Sequence, residues 1–202
     1  MADVVQEGFG GARSSFDLEV DQVRAAIVEP EILTVAPARV GLLALVVWSL
    51  TSILALAILA LIVTAPVFET TGFAGFSAWI YYTFSFVCHQ IPERSFHIAG
   101  HQFAVCSRCT GLYTGFAVAS LLYPLAPSLN RTDTPRRIWL ILAAAPLAID
   151  FALGYFSIWQ NTYLSRFVTG ALLSSVAVFY VMPGLIELAK MIAGRFTRRQ
   201  IV

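Results

Sequence analysis

The chain has 202 residues, of which 58% are hydrophobic and only 12% charged, and its mean hydropathy is +0.75. Soluble domains average about 45–50% apolar and about 25% charged, so a disordered chain, a collagen-like chain and an ordinary soluble enzyme are excluded and an integral membrane protein is expected. The net charge of +1 gives no reason to expect nucleic acid as a partner, and three cysteines are too few for a secreted disulfide scaffold.

The first 39 residues form an acidic arm. Seven acids (Asp3, Glu7, Asp17, Glu19, Asp21, Glu29, Glu31) face three arginines (Arg13, Arg24, Arg39). The remaining 163 residues hold ten basic and five acidic side chains, so an acidic tail precedes a basic body. Ser15 can cap a short helix in the arm, with Phe16, Val20, Val23 and Ile27 on one stripe before Pro30. That amphipathic helix has two readings: it rests on its own membrane domain, or it docks on a partner protein, since anionic lipid heads repel an acidic helix. The first apolar run begins near Val40 after this acidic leader, so the first span is expected to stay in the mature protein.

A span needs about 20 mostly apolar residues. Residues 40–67 are free of charge, as are 109–126 and 167–186, and 138–158 contain a single acid, Asp150. These predict four transmembrane helices. The stretch 73–87 is shorter and carries seven aromatics, Phe73, Phe76, Trp79, Tyr81, Tyr82, Phe84 and Phe86. Aromatic rings with polar tips favour the headgroup level, so an interfacial or re-entrant helix is expected there, with a full span as the alternative. Four spans place ten basic residues on the side of both termini and three (Arg94, Arg108, Arg166) on the other. The positive-inside rule then puts both termini in the cytoplasm and the 68–105 loop on the outer face. The expected organisation is an arm over 1–39, a membrane domain over 40–192 and a basic tail over 193–202.

The chemically active residues gather at one end of this scheme. Cys88 and His89 close the aromatic helix, His97 and His101 follow, and Cys106 and Cys109 open the second span. Asp150 lies roughly 12 Å below the outer end of the third span at 1.5 Å per residue, and Asn161 and Arg166 stand at the outer start of the fourth. Cys106 and Cys109 share a helix face with Tyr113, while Gly111 and Gly115 form a Gly-x-x-x-Gly seam on the opposite face. Gly170 and Ser174 offer a similar seam on the fourth span.

Three cysteines suit a soft, closed metal site, and zinc takes four Cys or His ligands in a tetrahedron. Cys88, Cys106, Cys109 and His89 are the expected ligands of zinc or another soft divalent ion, with His101 as a second choice for the fourth. The same Cys-x-x-Cys pair at a helix start could be a redox dithiol, or the three cysteines could be inert packing residues. Asp150 among lipid tails needs a partner or a polar cavity. Its expected partner is Arg166, as an ion pair or as a catalytic acid–base group beside a metal. Glu93 with Arg94 reads as a local pair, His97 as a surface residue, and Arg108 as a side chain snorkelling to the headgroups.

The run over residues 88–115 resembles the signature of a prokaryotic membrane family catalogued as domain of unknown function 2085. Cys88-His89-Gln90, Pro92 with Arg94-Ser95-Phe96, and Cys106, Arg108, Cys109, Gly111, Tyr113 and Gly115 carry the likeness. Asp150, Asn161, Arg166, Thr169 and Gly170 fit the family's later positions. The resemblance extends over roughly residues 68–186 and implies a shared membrane site without an assigned activity. Three function classes stay open. One is a membrane metalloprotein with a structural or catalytic Cys/His site. A second is a membrane thiol–disulfide oxidoreductase working through Cys106 and Cys109. The third is an accessory subunit that meets other membrane proteins through the arm and the small-residue helix faces.

Overall fold

A computed structural model describes residues 36–125 and 134–199. The acidic arm and its expected short helix lie outside the described residues, apart from the start of the first helix. The described chain is helical throughout except for one two-stranded turn. Helix α1 spans Ala36–Thr70, α2 Ala74–Ser85, α3 Ser107–Leu122, α4 Ile138–Tyr155 and α5 Tyr163–Arg199. Between α2 and α3 lie a 3-10 turn, Pro92–Arg94, and a minimal hairpin pairing β1 (His97–Ile98) with β2 (His101–Gln102). Ala99 and Gly100 turn that hairpin with positive φ, +52° and +84°.

Three helices are long and apolar enough to cross a membrane: Gly41–Thr70, Ile138–Tyr155 and Tyr163–Arg195. Their outer faces are large and apolar: Leu42, Leu50 and Ile141 are each over 60% exposed. Such surfaces are stable against lipid and not against water. The second expected span differs. Uncharged sequence runs over 109–126, but α3 begins earlier, at Ser107, with Cys106 in the N-cap position. It ends at Leu122 and gives way to a 3-10 turn, Tyr123–Leu125, because Pro124 has no N–H for the next helical bond. With 16 residues, α3 alone falls short of the length criterion. The fourth helix, α5, runs well beyond the expected 167–186 and takes in the start of the expected basic tail.

The aromatic helix α2 has 12 residues and is about 18 Å long at 1.5 Å per residue, too short for a hydrocarbon core of about 30 Å. The full-span alternative for 73–87 is therefore discarded. Ser77, Ile80 and Phe84 lie on one buried face, while Phe73, Trp79, Tyr82 and Phe86 are exposed. The buried face lies against the end of α1, where Ser77 Oγ donates to the Ala65 carbonyl at 2.8 Å.

The helices alternate in direction. The Trp48 indole, early in α1, donates to the Ser120 carbonyl late in α3 at 2.7 Å. Near the other end of α1, Ala104 N–H, just before α3, donates to the Ile62 carbonyl at 3.4 Å. So α3 runs antiparallel to α1. Arg108 at the start of α3 reaches Asp150 in the later half of α4, and Tyr180 of α5 donates to the Arg136 carbonyl before α4. Thus α1 and α4 point one way, and α3 and α5 the other.

The tightest packing is between α3 and α5, and glycine makes it possible. A Cβ on Gly111 would overlap the Phe167 backbone, and one on Gly115 would overlap Ala171 and the Ser174 hydroxyl. A Cβ on Gly170 would strike the Arg108 carbonyl. The expected seams on both helices thus meet each other. The small-residue faces expected to receive other subunits are used up inside the chain, a correction to that reading. A Gly115→Leu substitution should therefore lower the unfolding free energy in detergent by about 1–3 kcal/mol through overpacking. Gly184→Ala, with nothing near its Cβ position, should leave it unchanged or slightly raised, within about 1 kcal/mol. Paired thermal melts of the two variants check this.

Candidate metal centre

Cys88 follows α2 by a turn, its N–H bonded to the Phe84 carbonyl at 2.9 Å. The side chain is buried in an apolar cluster with Ile62, Ile80, Phe84 and Val105. Cys106 sits at the N-cap of α3 with extended backbone, φ −65° and ψ 161°. Its own N–H donates to the Cys88 sulfur at 3.2 Å, so one of the orphan donors at a helix start is satisfied by a thiol. One turn on, Cys109 turns its sulfur back to the same point. The three sulfurs lie within 4.8 Å of one another, and all are free thiols. Thiol hydrogen bonds from Cys109 and then from Cys88 pull the Cys106 thiol well below its usual range, which favours a thiolate at the centre of the group.

The loop between α2 and α3 is held by its own amides. Gln90, with φ +50°, donates its side-chain amide to the Tyr81 carbonyl at 2.7 Å and to the Ala104 carbonyl at 2.9 Å. The first lies near the C-terminal end of α2, and the second lies two residues before Cys106. Gln102 returns a bond to the Gln90 carbonyl at 3.2 Å. The Tyr81 phenol donates to the Gln102 carbonyl. Burial, with the Glu69 carboxylate nearby, pushes that phenol up to about 12, so it remains a donor. Gln90 was quoted in the sequence only as part of the Cys-His-Gln motif. Its bracing role needed coordinates, because only they show which carbonyls lie within reach of its amide.

Two of the expected partners change. His89 is exposed and is not in the group of close sulfurs. Its ring stands instead on the wall of a cavity of about 350 Å³ that also reaches all three cysteines. Cys88 is buried and His89, its neighbour, is exposed. His101 pairs with Glu69 at 3.2 Å and is also outside the sulfur group. Asp150 faces the interior, as expected for an acid at that depth, and is 9% exposed. Its partner, however, is Arg108 at 2.5 Å, not Arg166. Arg108 follows Cys106 by two residues, and 100° per residue swings it from the sulfur face towards α4. It does not snorkel: its guanidinium also lies over the Phe151 ring, 5.5 Å from the centroid. Asn161 donates to the Asp150 carbonyl and crosses Gly154 so closely that a Cβ there would lie 3.0 Å from its amide nitrogen. Glu93 and Arg94 form no ion pair among the described residues; Arg94 lines the cavity, as does Arg166. His97 is exposed, as expected.

Comparison with known proteins bears on the same residues. A family model described as "Predicted membrane protein (DUF2085)" matches residues 88–180. An uncharacterized protein of Methanocaldococcus jannaschii is 38% identical over 121 residues, covering 59% of this chain and 78% of that protein. An uncharacterized protein of Methanothermobacter thermautotrophicus is 37% identical over 87 residues, 43% of this chain and 77% of the relative. No solved structure matches. The chain belongs to this family of predicted membrane proteins. The matched segment begins at Cys88 and contains every residue of the sulfur group and of the Arg108–Asp150 pair.

Removing Arg108 alone leaves Asp150 as a buried, uncompensated charge, which costs about 3–5 kcal/mol for a buried pair. Arg108→Met should therefore destabilise the protein more than the double variant Arg108→Met with Asp150→Leu. A double-mutant cycle on detergent melts measures the difference.

Proposed function

We propose that the protein is a polytopic membrane metalloprotein holding zinc, or another soft divalent ion, on Cys88, Cys106 and Cys109. The observation that carries this is the convergence of three free sulfurs from two separate segments within 4.8 Å. Sulfurs around a tetrahedral zinc lie about 3.8 Å apart for Zn–S bonds of about 2.3 Å, a spacing that this cluster reaches with small side-chain motions. Inert packing cysteines have no need to share one point, nor to stabilise a thiolate inside an apolar cluster. All three cysteines line the arginine-lined cavity, from which a fourth ligand would come. A water or small ligand there makes the site open, and His89 on the wall would close it as a structural site. Arg166 lines the cavity, while Asp150 is tied to it through its pair with Arg108; an acid–base role for the two needs the open form.

The reading includes four membrane crossings. Because α1 and α4 run the same way, the chain must return across the bilayer between them, and α3 with its 3-10 turn runs that way. Sixteen helical residues at 1.5 Å and three at about 2.0 Å give about 30 Å, the thickness of the hydrocarbon core. Arg136, Arg137, Lys190 and Arg195 then share the end opposite the cysteines, which supports a cytoplasmic location for that end and an extracytoplasmic one for the sulfur cluster.

A second reading, a membrane thiol–disulfide oxidoreductase, is favoured by the stabilised Cys106 thiolate beside Cys109. The two separate cleanly. Purified full-length protein should carry about one zinc per chain by elemental analysis. Cys106→Ser and Cys109→Ser should lose it, and His89→Ala should keep it. Metal-free protein with a reducible Cys106–Cys109 disulfide would overturn the metal reading in favour of the redox one.

A further inference from the structure

Two cavities meet at Val87 and Cys109. The first is the polar one beside the sulfurs, walled by Arg94, Arg108, Arg166 and His89. The second, about 530 Å³, is an apolar cleft along α1 and α3, lined by Leu54, Ile58, Leu112, Tyr113 and Phe116. The cleft lies along the lipid-facing bodies of the helices, and the polar cavity lies at their cysteine end.

The polar cavity has more positive than negative charge. Three guanidinium groups face it, and the one acid at hand, Asp150, is taken by Arg108. Arg94 and Arg166 have no carboxylate within ion-pair distance among the described residues. The Arg166 Nε and the Arg108 Nε are both buried without an acceptor. A buried guanidinium donor without an acceptor is costly, and the cost is greater near lipid. The distribution along the bundle sharpens the point. Among described basic residues of the loop and helices, Arg136, Arg137, Lys190 and Arg195 belong to the opposite end, and all three at the cysteine end line this one cavity. Planar guanidinium forks match a phosphate group in geometry and in charge.

We propose that the paired cavities bind a phosphate-headed lipid, its phosphate among Arg94, Arg108 and Arg166 and an acyl chain in the cleft. The headgroup supplies the missing acceptors and counter-charge, and the chain covers apolar walls that are continuous with the bilayer. This goes beyond the metal reading and does not depend on it, since no phosphate contact uses a sulfur.

Native mass spectrometry of the full chain in detergent tests it, with dioleoylphosphatidylglycerol, dioleoylglycerol and inorganic phosphate as probes. The phosphatidylglycerol should be retained. Arg94→Gln and Arg166→Gln should each weaken it about tenfold, the loss expected for one charge-assisted hydrogen bond. Leu54→Trp, at a lipid-facing position, should weaken it without lowering the melting temperature. Exposed Arg94 carries the test if Arg166→Gln does not fold. Equal retention of dioleoylglycerol would overturn the headgroup assignment. Competition by inorganic phosphate as strong as by the lipid would overturn the chain assignment and leave a free-phosphate site. Undiminished lipid binding by a folded Arg94→Gln variant would overturn the proposal. Zinc is counted in the same samples, so lipid retained without zinc sinks the metal reading alone.

Discussion

The fold depends on two backbone carbonyls that proline leaves without their helical donors. In α1, Pro66 has no N–H to give to the Ile62 carbonyl, and the Ala104 N–H takes that place. At the end of α3, Pro124 cannot donate to the Ser120 carbonyl, and the Trp48 indole donates instead, alongside the Tyr123 N–H. Each freed acceptor is answered from the other strand of the chain. Between helices in lipid there is little hydrophobic driving force, so polar ties of this kind and close packing hold them together. The two ties sit near opposite ends of α1 and set its alignment with α3. One of them fixes residue 104, two positions before Cys106, against α1. The cysteine loop is therefore anchored by backbone chemistry before any sulfur or metal enters.

The glycine seam completes the placement. Close approach of α5 to α3 at Gly111, Gly115 and Gly170 brings the start of α5, with Arg166, beside the start of α3. The neighbouring α4 then meets the third face of α3, where Arg108 finds Asp150. One helical turn thus serves three neighbours: Cys106 and Cys109 towards the α2 loop, Gly111 towards α5, and Arg108 towards α4. A substitution in this turn cannot be confined to one function, because successive side chains 100° apart belong to different interfaces.

Much of this was legible in the residues, and what was not has definable causes. Apolar runs marked the helices because a 20-residue stretch without charge has one common use. The Gly-x-x-x-Gly pair and the Gly170/Ser174 pair predicted a close seam, and the sole acid in a span predicted burial of Asp150. The partner of Asp150 was missed. Sequence supplies the angle of Arg108 around α3 but not which helix stands at that angle, and a chain-order neighbour, Arg166, was chosen instead. The extent of α3 was also misread, because an uncharged run marks lipid solubility rather than hydrogen bonding. Helix ends are set by groups such as Cys106 and Pro124. His89 stands outside the sulfur group, since adjacent side chains such as Cys88 and His89 do not easily chelate one ion.

The charges of the sulfur cluster and of the arginine-lined cavity let the two proposed sites adjoin without cancelling. Three thiolates crowded within 4.8 Å repel one another, and the Cys106 thiol, held low by its thiol neighbours, is the first to ionise without a cation. With a divalent cation all three ionise, and the cluster keeps one residual negative charge. Beside it, three arginines and one carboxylate leave two positive charges in excess. One negative charge stands beside them with a single thiolate or with the metallated cluster, so an excess of about one positive charge survives in both states. A cavity that stays cationic whether or not the sulfurs are metallated requires an anion from outside the chain.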